Sequence, residues 1–397
     1  MTTGVQNTII GGLAGDALTT GSYNTAIGYL ALSAEDTHGY NIAIGREALT
    51  AQNAGANAYN VAVGFQAGKT VSTGVRNIII GGVAGDALTT GSYNVAIGHE
   101  ALSTEDAHGY NVAVGYRALK TLNAGANAYN VAMGYDAGVT LSTGINNILV
   151  GGLAGDALTT GGNNIAIGYG SLGNEDAHSY NVAVGTGTLA NQDAGADAYN
   201  VAIGYSAGND VTTGVQNVLA GGLAGDALTT GSYNIAIGTG ALGTEDTGGR
   251  TVAIGHNALN IQDAGSDTYN VAVGYNAGGA VTTGGQNVVV GGLAGDALTT
   301  GFGNTALGHG ALSTEDAGDR SVGVGYFALN AQNVSGGGSA YNVGVGYNAG
   351  GNVTTGVQNT LVGGLAGDAL TTGTNNVAIG FQALSTQDVN GQNVAVG

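Results

Sequence analysis

The sequence predicts an all-β protein, a parallel β-roll (a β-solenoid) built of 17–19-residue two-stranded coils. Three observations predict it. A five-residue pattern, Asn, β-branched, Ala, β-branched, Gly, starts at Asn7 and recurs to the last residue, Gly397, with 23 starts. The starts follow one another at a fixed order of spacings, 17, 17, 19 and 17 residues. The composition has 78 glycines, no proline, no cysteine and no tryptophan, with 43% apolar residues that are mostly small. A fixed period of this size means stacked units, each too small to bury a core alone.

The elements follow in chain order. Residues 1–6 read as a lead-in, and 7–397 as a single continuous solenoid of about 23 coils. Within a coil, Asn-Val-Ala-Val reads as a short strand, because β-branched residues are stiff at χ1 and suit a pleated surface. Glycine every five to ten residues would destabilise a helix. The fifth residue is Gly every time, from Gly11 and Gly28 to Gly380, which marks a corner that tolerates no Cβ. A second short strand is expected around Ala-Leu, at Ala31-Leu32, Ala48-Leu49 and Ala101-Leu102. Polar, Gly-containing loops then return the chain to the next Asn. Only Thr251 and Ser321 replace that Asn, and the stacked amides are expected to bond side chain to side chain up the stack. At about 4.8 Å per coil, some 23 coils would make a rod of roughly 110 Å.

The spacings define a 70-residue super-repeat: 7–76, 77–146, 147–216 and 217–286, then a fifth copy, 287–358, and a partial sixth. The fifth copy carries two extra residues, in the Gly-rich stretch Asn333 to Ala340, as expected of a loop on one edge of the stack. The first coil of each copy is odd. Its third residue is large (Ile9, Ile79, Leu149, Leu219, Val289, Leu361), and a Gly follows its corner (Gly12, Gly82, Gly152, Gly222, Gly292, Gly364). This reads as a size swap that keeps the packing level.

Positions two and four of the strand point to one face and position three to the other. All three are apolar, as in Val61-Ala62-Val63 and Ile42-Ala43-Ile44. One coil has one interior, so the other face needs a cover, and the simplest cover is another copy of the chain. An oligomer is therefore expected.

The unit Asn-Val-Ala-Val-Gly-Tyr-x-Ala-Leu, standing as Asn24 to Leu32, Asn111 to Leu119 and Asn304 to Leu312, resembles the head repeat of YadA-like trimeric adhesins and the same repeat in phage tail fibres. The resemblance spans 7–397. It implies a left-handed parallel β-roll assembled as a homotrimer. The coils here are longer than the usual adhesin head repeat. No heptad stalk, membrane anchor or chaperone-like tail domain is read in the sequence, which favours the fibre over the autotransporter.

Composition excludes several classes. The formal net charge is −19, from 26 acids against seven bases. Such a surface repels nucleic acid and anionic membranes. Without cysteine there is no disulfide and no thiolate chemistry. The opening MTTGVQNTII lacks a basic segment followed by an apolar one, so no secretory signal is expected in it, and no apolar run is long enough for a membrane span.

Four recurrent motifs were weighed as sites. Gly11 to Leu18 nearly spells the calcium β-roll nonapeptide, but its third Gly is one place late and it recurs every 70 residues. Its Asp reads instead as a turn residue bonding its own backbone. Glu-Asp-x-His (Glu35, Asp36, His38; Glu105, Asp106, His108; Glu175, Asp176, His178) has the residue types of a divalent-cation site. Later copies lose the His (Glu245-Asp246-Thr247-Gly248, Glu315-Asp316-Ala317-Gly318), so a solvated acidic loop is the preferred reading. The nineteen tyrosines stand before the Asn (Tyr23, Tyr40, Tyr59, Tyr110) or after the corner Gly (Tyr29, Tyr116, Tyr135, Tyr205). They read as corner plugs or subunit contacts rather than ligand platforms. Thr-Thr pairs (Thr19-Thr20, Thr89-Thr90, Thr212-Thr213, Thr282-Thr283) form an interrupted array, better suited to bonding nearby backbone than to ice. No nucleophile–base motif or phosphate loop is present. No catalytic, cofactor or metal residues are expected.

The resulting expectation is a non-enzymatic structural protein of a virion or cell surface. It would be the rigid shaft of a phage tail fibre or related extracellular filament, possessing itself and neighbouring fibre or virion proteins as partners, with a contribution to host attachment. A carbohydrate-binding adhesin head, with loops such as Asn333 to Ala340 taking a cell-surface glycan, is the second reading. An ice- or mineral-binding solenoid is the third.

Overall fold

A computed structural model describes residues 3–334, 336–386 and 388–397. Of the expected lead-in, Met1 and Thr2 lie outside the described residues, as does Ser335 of the Gly-rich loop. The chain divides into two compact units, Met1–Tyr199 and Asn200–Gly397. Each is a parallel β-solenoid. The first holds eleven described strands, from β1 (Thr8–Ile10), β2 (Thr25–Ile27), β3 (Ile42–Ile44), β4 (Val61–Val63) and β5 (Ile78–Ile80) to β11 (Val182–Val184). The second holds twelve, from β12 (Val201–Ile203) to β23 (Val394–Val396). Every described strand is three residues long and covers positions two to four of the repeat. Pairing is parallel and in register, Ile42 opposite Val61 and Ala43 opposite Ala62.

The corner explains the invariant glycine. All 23 corner glycines have φ between 126° and 149°, a region that a side chain would strain. Space forbids a side chain as well: a Cβ on Gly11 would sit 2.7 Å from the carbonyl oxygen of Gly28, the corner stacked upon it. From Asn24 to Asn376 the Asn before the strand is buried and binds backbone rather than mainly its own kind. Asn77 Oδ1 accepts the backbone N–H of Asn94 (2.9 Å), and Asn77 Nδ2 donates to the Gly91 carbonyl (2.8 Å). Amide-to-amide bonds, the expected ladder, occur at a few steps such as Asn376 Nδ2 to Asn359 Oδ1 (3.0 Å). The amide does more as a bridge, since each buried backbone group it satisfies would otherwise be stranded.

Among the described residues the second strand is absent, so the described coils have one strand rather than two. Ala31-Leu32, Ala48-Leu49 and Ala101-Leu102 lie in turns. Leu32, Leu49 and Leu102 take φ of 51°, 47° and 51°, which folds the chain out of the extended region. These turns still bond coil to coil, Leu32 N–H to the Ala48 carbonyl at 3.0 Å. The bend turns each leucine inward, where it is fully buried.

Position three faces the interior: Ala43, Ala62 and Ile79 are fully buried. The odd coil is levelled differently from the expected swap. Ile79 points in, whereas a Cβ on Gly82 would meet the His99 ring outside, at 3.4 Å. The two do not share space. Room for the large residue comes from turn glycines standing where other coils carry Leu. A Cβ on Gly68 would lie 2.8 Å from Ile79 Cδ1, and one on Gly138 2.6 Å from Leu149 Cδ1. The four-coil period is thus a rule of interior volume, with a large strand residue answered by Gly in the turns around it.

Candidate functional site

The outer surface is built from the strand upward. With position three turned in, positions two and four stand on the outer face. They are half-buried or exposed throughout: Ile42 is 38% exposed, Ile78 41% and Ile203 47%. Coil after coil, this leaves an apolar stripe on each unit, and it is flanked by aromatic rings.

All nineteen tyrosines are exposed, so none plugs a corner. The corner is closed by backbone and Asn, which leaves no room inside for a ring. One column precedes the Asn, at a backbone position with φ near 60°. Tyr23, Tyr40 and Tyr59 stack at 4.8 and 4.9 Å between ring centroids, and Tyr93, Tyr110 and Tyr129 at 5.1 Å. In a later copy Arg250 takes a tyrosine's place, with its guanidinium over Tyr233 and Tyr269. Ring faces in this column cover one another, so edges and hydroxyls meet solvent. The second column follows the corner Gly. It stacks His99 on Tyr116 and Tyr116 on Tyr135 (5.7 and 5.5 Å), and later Tyr326 on Tyr347 (5.6 Å).

The acidic motif is solvated only in part: Asp106 and Asp176 are exposed, but the Glu is not. Glu35, Glu105, Glu175, Glu245 and Glu315 are fully buried. Each occupies one interior column, three residues after the turn Leu, where other coils place Leu18, Gln52, Val71 or Leu122. The carboxylate caps its own loop: Glu35 Oε1 accepts the His38 N–H (3.0 Å), and Glu245 Oε1 the Gly248 N–H (2.7 Å). The cap works with or without the His. Glu245 Oε2 further accepts from Gln262 Nε2 (2.9 Å), and Glu315 Oε2 from Gln332 Nε2 (2.7 Å). Glu35 Oε2 and Glu175 Oε2 are buried without a partner. Burial pushes the carboxyls of Glu35, Glu175 and Glu245 up. The signal for burial was in the sequence, because the same column alternates Glu with Leu and Val. The structure also brings Glu175, Asp176, His178 and Asp193 together, with possible ligand atoms within 4.8 Å of one another, and similar trios at Glu35 and Glu105. Their donor types suit a divalent cation, but the buried Glu in each is already engaged as a cap.

The remaining motifs are local. In the calcium-like stretch, Asp86, Asp156, Asp226 and Asp296 have carboxyls raised by burial, and each also takes a hydrogen bond from its own backbone. This is the turn role expected of them. The threonines spend their hydroxyls on the next coil: Thr19 Oγ1 donates to the Asp36 carbonyl (3.0 Å) and Thr89 Oγ1 to that of Asp106 (2.8 Å). The longer loop is tied at both ends, Asn333 N–H to the Thr354 carbonyl (2.9 Å) and Ala340 N–H to that of Asp319 (3.0 Å). Among the described residues, no helix is long and apolar enough to cross a membrane. Comparison of the chain with protein-family models and with curated proteins gives no match.

Proposed function

We propose that this chain is a structural fibre protein, the rigid shaft of a viral tail fibre or a related extracellular filament, in which copies associate along their exposed apolar stripes. The observation that carries the reading is the outward face of positions two and four. A stripe mainly of Val and Ile, half-buried or exposed and repeated over eleven coils of one unit, exceeds the few hundred Å² of apolar surface that a monomer usually shows. Association of three copies, and a left-handed roll continuous over 7–397, follow the resemblance to YadA-like and tail-fibre repeats. In this reading the protein is not an enzyme and belongs to a virion or cell surface. A carbohydrate-binding head is the second reading, favoured by the exposed tyrosine columns. The test is mass in dilute solution, with small-angle scattering beside it. The shaft reading expects an oligomer with a cross-section of several rolls and a length near 110 Å, from about 4.8 Å per coil. A folded, soluble monomer overturns it.

A further inference from the structure

The glycine after the corner of each odd coil has no explanation in the fold. Gly12, Gly82, Gly152, Gly222, Gly292 and Gly364 are absent from the residues with positive φ. A Cβ on Gly222 would meet nothing within 4 Å; on Gly82, Gly292 and Gly364 it would meet only a neighbouring ring, at 3.4 to 3.6 Å, and on Gly152 the Tyr169 ring at 3.5 Å and the Tyr135 carbonyl oxygen at 3.9 Å, all ordinary contacts. Other coils carry Tyr, His, Phe, Arg or Thr at this same outward position. Backbone and space would accept a side chain here, yet every odd coil leaves it out. The result is a notch one layer deep in the second aromatic column.

Rings border four of the six notches on both sides. Tyr275 stacks on His256 (5.6 Å, 15°), so its other face looks toward the layer of Gly292. His309 stacks on Tyr326 (5.5 Å, 16°), so its other face looks toward the same layer from the opposite side. Tyr135 and Tyr169 flank Gly152, Phe65 and His99 flank Gly82, and Tyr347 and Phe381 flank Gly364. Two coil steps separate such a pair, about 10 Å, which leaves room for one inserted ring about 5 Å from each face. The residue after the leading ring is polar every time: Gln66, Asp136, Ser206, Asn276 and Asn348. An aromatic face beside amide or hydroxyl groups is equipped for a ring that is apolar on its faces and hydroxylated at its rim, whereas the Asp136 carboxylate is buried and paired with Arg117. The net charge of −19 disfavours a nucleobase carried on phosphates.

We propose that each of the four notches with a ring on both sides, at Gly82, Gly152, Gly292 and Gly364, is a subsite for one neutral sugar ring, held between the aromatic side chains one coil before and one coil after the glycine. Two notches stand four coils apart in each flanked unit, Gly82 with Gly152 and Gly292 with Gly364, so one oligosaccharide could engage both and gain by avidity. The proposal does not depend on the number of subunits.

The test uses the native assembly and a printed panel of neutral oligosaccharides of glucose, galactose, mannose and N-acetylglucosamine, with saturation-transfer NMR on the members that bind. At least one should bind. Filling the notches (Gly82→Tyr, Gly152→Tyr, Gly292→Tyr, Gly364→Tyr) should abolish binding while melting temperature and assembly mass hold, since Tyr already stands at this position in other coils. Should the filled variant fail to fold, Tyr275→Ala with Tyr135→Ala removes exposed rings only and should weaken binding about tenfold, the worth of one aromatic contact. Failure of every sugar to bind, or binding that survives filling or ring removal, overturns the proposal. A change of assembly mass on filling also overturns it, because the notch is then a subunit contact. The shaft reading survives the first of these outcomes and is judged by mass alone.

Discussion

At the scale of single residues, two buried side chains hold the coil together in different ways. The strand-leading Asn ties its own coil to the next: Asn217 Oδ1 accepts the Asn234 N–H (2.9 Å), and its Nδ2 donates to the Gly231 carbonyl (2.9 Å). Asn217→Ala strands one donor and one acceptor, each costing about 1–3 kcal/mol. A loss of about 2–5 kcal/mol is expected by chemical denaturation. At the natural exception Ser321, the hydroxyl instead accepts from the Gln332 side chain (Nε2, 2.8 Å). The buried Glu sets a pH dependence. Burial raises Glu35, Glu175 and Glu245 above their usual value of 4.5, against the weaker pull of neighbours such as His38, His178 and Gln262. The folded state therefore binds more protons than the unfolded between 4.5 and the raised values, so stability rises as pH falls from neutral toward 4.5. Below that, Glu47 opposes the trend. Hydrogen bonds from Lys69 and Gln66 hold it at about 2, and its contribution is lost as pH falls from 4.5 toward 2. Melting temperature is expected to peak in mild acid, and the combined variant E35Q, E175Q, E245Q to flatten the rise from neutral pH. A monotonic fall from pH 7 downward would contradict this.

At the scale of the element, one coil is a three-residue strand, a glycine corner and a chain of turns. Leucines at φ near 50° are costly, about 1–2 kcal/mol each for a side chain in this region. Their full burial offsets that cost. The four-coil period follows from the interior: Gly138 is flanked by Leu149 Cδ1 and by Leu119 Cδ2 (3.1 Å from its Cβ position). Gly138→Leu should overfill this layer and destabilise by about 1–3 kcal/mol. Adding Leu149→Ala should recover much of the loss, because Ala in the strand with Leu in the turn is the arrangement of neighbouring coils. The measurement is a double-mutant cycle in denaturant. Additive losses would show that the two sites do not share volume.

At the scale of the whole molecule, the question is what covers the outer face. Position three is interior, so a charge there tests folding, whereas positions two and four test assembly. Ile78→Asp with Ile80→Asp places charge on side chains 41% and 37% exposed in a single copy. The circular dichroism of the coil should persist while the assembly mass falls to that of smaller species. Retention of the full mass would place the subunit contact elsewhere, with the tyrosine columns the next surface to alter.

The sequence alone determined the solenoid, the position of the strand in each coil and the corner glycine, because these recur in every coil and a stack repeats one local solution; that the leading Asn is buried and bonds backbone was for the structure to decide. It also showed the four-coil period and where the extra loop residues lie. The tertiary structure decided what a single coil cannot express. Ala-Leu has the composition of a strand, yet it turns, because its leucine must reach the space left by the small strand Ala of its own and adjacent coils. Glu looked solvated among Asp and His, yet it faces inward, because its column is set by depth in the stack and not by its neighbours in sequence. Gly after the corner of the odd coil reads as its packing partner and Tyr as a corner plug or subunit contact, yet both stand on the outer surface. Only the stacking of coils aligns them into columns, and so determines which glycines the backbone requires and which stand open to a side chain.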